Sequence, residues 1–103
     1  MVTTSSGNTH LLAFVVDAKQ ENLMSIHLDL AGLDYLVSQL SHVRKKLVEN
    51  QVEHFHMFSE EWGDGALSIS TMGDVEGDGK PIHQINTYGW TDEWVEKHGF
   101  KRS

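Results

Sequence analysis

The chain has 103 residues, 39% of them hydrophobic and 22% charged, with one proline and no cysteine. That length fits one domain, 1–103, with a modest core; the composition argues against intrinsic disorder, and the missing cysteine excludes disulfides, thiolate metal sites and cysteine nucleophiles. The formal net charge of −7 disfavours nucleic acid as a partner, and the longest apolar run, Leu11 to Val16, is too short to span a membrane.

Residues 1–9 are rich in Thr, Ser, Gly and Asn and are expected to be flexible, with no secretory signal visible among them. LLAFVVDA (11–18) reads as a strand covered on both faces, because apolar residues occupy both of its alternating sets. After the polar turn KQEN, MSIHLDL (24–30) alternates, with Met24, Ile26 and Leu28 on one face and Ser25, His27 and Asp29 on the other. Leu30, Leu33, Leu36, Val37, Leu40, Val43, Leu47 and Val48 then recur at spacings of three and four, which predicts one long amphipathic helix. Asp29 is its expected N-cap, the Arg44-Lys45-Lys46 run suits its C-terminal dipole, and Asn50 stops it.

VEHFHMFS (52–59) returns to strand, with Phe55 and Met57 on one face and His54, His56 and Phe58 on the other. WGDG (62–65) has the glycines of a tight hairpin turn, and ALSISTM (66–72) is the expected return strand, Leu67 and Ile69 inward, Ser68 and Ser70 outward. GDVEGDGKP (73–81) reads as an exposed loop, IHQINTYGW (82–90) as a last strand, and the residues after Thr91 as a short capped helix. The order β-β-α-β-β-β-α predicts an α+β fold: a two-layer sandwich, a mainly antiparallel sheet with the long helix packed on one face.

Eleven of the fifteen acids fall between Glu49 and Glu96, against one base, Lys80. This segment presents an acidic surface, of the kind that steers a basic protein partner or simply keeps the chain soluble. Within it, Glu60, Glu61, Trp62, Asp64, Asp74, Glu76 and Asp78 are the candidate partner-binding residues, acids around an aromatic that suits an interface anchor. The loop DVEGDG imitates the start of a calcium-binding loop, but Ile85 stands where its bidentate Glu belongs, and both flanks read as strands rather than helices.

His54 and His56 share a strand face, as two ligands of one metal ion would. If the second and third strands are neighbours, His27 joins them beside Ser68 and Ser70, with Glu60 or Asp29 as a further ligand. This defines the alternative reading: a small metal-binding protein or metal-dependent hydrolase. Ser59 with His56, or Asp29 with His27, would make a nucleophile or acid–base pair. No G-x-S-x-G elbow or phosphate loop accompanies them, so no catalytic residue is assigned and no cofactor is expected.

The ordered pattern Gly32, Leu33, Leu36, Leu40, then His54, His56, Trp62, Gly63, Gly65, Leu67, Ser68, then Tyr88 and Trp90 resembles the immunity protein 32 family of bacterial polymorphic toxin systems, over residues 24 to 90. The resemblance implies a small cytoplasmic protein that binds and neutralises a cognate toxin. It carries over no catalytic residue and no cofactor. The acidic surface adds the expectation of a basic toxin domain as partner, with neither nucleic acid nor membrane; a homodimer stays open.

Overall fold

The computed structural model describes residues 10–69 and 79–103, so the expected flexibility of residues 1–9 lies outside the described residues. Among the described residues seven elements follow in order: β1 (Leu12–Val16), β2 (Met24–Leu28), α1 (Leu30–Val48), β3 (Glu53–Phe58), β4 (Lys80–Pro81), β5 (Gln84–Gly89) and α2 (Asp92–His98). All strand ladders are antiparallel. They form one sheet in the order β2-β1-β4 and a second of β3 with β5. The fold is α+β, with the long helix against the sheets.

Local signals build α1 as expected. The Asp29 side chain accepts from the Gly32 N–H at 2.8 Å, satisfying a donor that the first helical turn cannot. At the other end Asn50 adopts φ 61°, the left-handed conformation asparagine tolerates, and donates its N–H to the Leu47 carbonyl. Thr91 caps α2 through the Trp94 N–H at 3.2 Å.

The core is made by Leu12, Phe14, Met57, Ala66 and Leu67, with Tyr35 and Leu36 of α1 packed against it. Register puts Leu28, Ile26 and Met24 opposite Leu12, Phe14 and Val16, hence on the same face of the sheet as the core residues of β1. The helix reaches the second sheet at Gly89, where an added Cβ would lie 2.4 Å from Val43 Cγ1; glycine is required there by close approach.

Three expectations are corrected. Of the expected strand 66–72, the described residues 66–69 do not form a hairpin partner of β3, and Ser70, Thr71 and Met72 lie outside the described residues. Among residues 66–69 Leu67 makes a single bridge to Ser59, and it is parallel. Ser68 is not outward: its N–H donates to the Leu12 carbonyl at 2.7 Å and its Oγ accepts from the Leu12 N–H, while Ile69 is exposed. Residues 67–68 therefore link the two sheets, since the Leu67 N–H also donates to the Phe58 carbonyl. Second, Lys80 and Pro81, expected in a loop, pair with Val16 and Val15. Third, the apolar stripe of α1 is wider than its contact: Leu30, Leu33, Val37, Leu40 and Val48 stay exposed, whereas Val43 is buried.

Candidate functional site

The chain from Ser59 to Ala66 forms a braced loop. Ser59 is 1% exposed and every polar group it has is used. Its N–H donates to the His83 carbonyl at 2.8 Å, its hydroxyl is hydrogen-bonded to His83 Nδ1 at 2.7 Å, and its carbonyl accepts from the N–H groups of Trp62 and Gly63. Asp64 closes the loop from inside, its Oδ1 accepting from the N–H groups of Phe58 and Ala66. Gly63 lies so close to the Phe58 ring that a Cβ would sit 2.8 Å from it.

Trp62 projects from this brace. It is 61% exposed, and its ring stacks on His83 with centroids 5.0 Å apart and planes 15° apart. Glu60 and Glu61 stand beside it in the chain, both exposed. Glu61 Oε1 lies 3.7 Å from His83 Nδ1. The loop thus presents an aromatic face held flat on an imidazole and rimmed by carboxylates.

Of the residues expected to bind a partner, Glu60, Glu61, Trp62 and Asp64 come together here, though Asp64 is spent on the loop's own backbone. Asp74, Glu76 and Asp78 lie outside the described residues. Sequence reasoning missed His83, which both supports Trp62 and ties Ser59; its place at the head of the last expected strand carried no local signal of that role.

The histidine cluster does not assemble. β2 neighbours β1, and β3 neighbours β5, so His27 is on a different sheet from His54 and His56. His54 and His56 do lie side by side, centroids 5.2 Å apart. His56 Nδ1 is 2.6 Å from Asn86 Oδ1, so that nitrogen carries the proton and donates. Among the described residues no group of three His, Asp or Glu is placed to hold a metal ion. Asp29, a suggested ligand and acid–base partner, accepts instead from the Leu11 and Gly32 N–H groups, which hold its carboxyl below the usual carboxylate range.

The suggested Ser59–His56 pair is likewise replaced by Ser59–His83. That pair is a brace by geometry: the serine is buried, and the nitrogen it bonds is the one facing Glu61, whereas a nucleophile triad uses opposite ring nitrogens.

A second aromatic system runs along the outer face of β3–β5 into α2. His54 stacks on Tyr88, Tyr88 on Trp90, and Trp90 on Trp94 at 3.9 Å and 7°, with His98 beyond at 3.8 Å. It ties α2 to the sheet through ring contacts, so Trp90 and Trp94 serve structure, while Tyr88 remains half exposed.

Comparison of this chain with models of known families, with curated proteins and with solved structures finds no match. No helix among the described residues is long and apolar enough to cross a membrane.

Proposed function

We propose that this protein is a binding protein of the immunity type, which neutralises a cognate bacterial toxin in the cytoplasm by stoichiometric occlusion. The observation that carries the reading is Trp62: a large aromatic, exposed yet fixed on His83 and flanked by Glu60 and Glu61. A side chain already ordered before binding loses little entropy on docking, and buried aromatics dominate interface energies. The carboxylates beside it suit a basic toxin domain. The sequence pattern that resembles the immunity protein 32 family suggests the same reading, although no family model matches the chain.

Co-purification with the product of the adjacent gene tests the reading. A one-to-one complex is expected, and Trp62→Ala should weaken it by at least about tenfold while leaving thermal stability nearly unchanged. Affinity that ignores both Trp62→Ala and added salt would remove this loop from the interface; absence of any complex would remove the reading itself.

A further inference from the structure

Among the described residues β2 is an edge strand, with β1 on one side and no strand on the other. The alternation of hydrogen bonds along β1–β2 fixes which of its groups face outward. The Asp29 N–H donates to the Leu11 carbonyl and the Asp17 N–H to the Leu23 carbonyl, so the positions that exchange bonds across the hairpin are the odd-numbered ones. Leu12 and Phe14 turn their main-chain groups the other way, towards Ser68 and Ile82. Their opposites, Leu28 and Ile26, and likewise Met24, therefore point N–H and C=O away from β1. Nothing among the described residues pairs with them.

Natural edge strands are usually blunted by a lysine, a proline or a bulge. β2, MSIHL, has no charge, no proline and no bulge in its register. Its apolar row is exposed as well: Met24 47%, Ile26 49%, Leu28 36%, with Leu30 at 74% just beyond.

We propose that β2 pairs with β2 of a second copy of this chain, antiparallel about a two-fold axis at Ile26, so that one sheet continues through both protomers. The register is self-complementary. Ile26 faces its own mate, Met24 faces Leu28, and each facing pair exchanges two main-chain hydrogen bonds. All three side chains fall on the helix-side face, where the apolar rows of the two copies cover one another. The seam brings no like charges together, in a chain whose net charge of −7 would oppose association at most other surfaces.

Area decides the strength. Met24, Ile26, Leu28 and Leu30 leave on the order of 400 Å² of apolar surface per copy, about half of what one partner contributes to a standard stable interface. The dimer is therefore weak and concentration-dependent.

Sedimentation equilibrium from micromolar to millimolar chain, combined with amide hydrogen exchange at both ends of that range, tests the proposal. Mass should rise from 11.6 kDa towards twice that value. Over the same range the amides of Met24, Ile26 and Leu28 should gain protection while those of Ser25 and His27, facing β1, stay unchanged. Ile26→Lys sets two like charges on the axis and should raise the dissociation constant by more than about tenfold. Because the Ile26 side chain is half exposed, the fold should survive, as circular dichroism would show. A chain that stays at 11.6 kDa throughout overturns the proposal. So does a dimer in which those three amides exchange as fast as in the monomer, whatever Ile26→Lys does.

Discussion

Asp29 does two jobs with one oxygen: its Oδ1 accepts from Gly32 at the head of α1 and from Leu11 just before β1, tying helix to sheet. Glu53 does something similar at the far end, accepting from the His54 N–H and from His42 Nε2. Both carboxyls are held below their usual range, Asp29 first by the Leu11 N–H and Glu53 first by the His54 N–H. A carboxyl with a lowered folded-state pKa contributes stability that is complete above the unfolded value of about 4 and is lost as pH falls through the folded value. Thermal denaturation should accordingly be flat from neutral pH to about pH 5 and fall below about pH 4. Asp29→Asn keeps a capping oxygen but removes the titration, so its melting temperature should start a few degrees lower at neutral pH and decline less steeply in acid. A variant whose acid profile parallels the parent's would show that Asp29 takes no part in the loss.

At the scale of elements, the decisive contact is α1 on β5. Gly89 allows Val43 to sit where a Cβ would be, and Leu47 lies just beyond, 3.2 Å from that same position. Gly89→Ala should cost about 1–3 kcal/mol in urea denaturation, because a buried β-branched side chain next to backbone has little room to move. In a Val43→Ala background the same change should cost less, the two sites being in direct contact; equal cost in both backgrounds would place the strain elsewhere.

Elements of this kind were legible in the sequence where their causes are local. The helix from Leu30 to Val48, its Asp29 cap and the alternating faces of β2 and β3 follow from spacing alone. The segment after Gly65 was not legible. Its glycines signal a hairpin, yet the turn is closed by the Asp64 carboxylate and the Ser59 carbonyl, and Leu67 then runs parallel to β3. β4 has two residues and exists through its pairing with β1, a tertiary fact. The separation of His27 from His54 and His56 has the same origin, since strand order across sheets is decided by packing and leaves no mark in periodicity. Trp62 was legible as an exposed aromatic beside acids, whereas its support by His83 is a long-range contact.

Among the described residues, the Trp62 loop and the β2 edge are two surfaces whose proposed associations should answer salt in opposite directions. The loop with Glu60, Glu61 and Trp62 offers carboxylates, and its attraction for a basic partner falls as ions screen it. The β2 edge is uncharged, and what opposes its self-pairing is repulsion between two copies that each carry −7, which the same ions relieve. Raising salt from about 50 to 500 mM shortens the screening length from roughly 14 to 4 Å. Over that range the proposed complex with a basic toxin domain should weaken several-fold, and the proposed homodimer should tighten. The substitutions separate along the same line. Trp62→Ala should leave the sedimentation of the isolated chain unchanged, and Ile26→Lys should leave the toxin complex intact. If instead Ile26→Lys abolishes both associations in a folded protein, the toxin itself occupies the β2 edge, and the two surfaces are not separate in function.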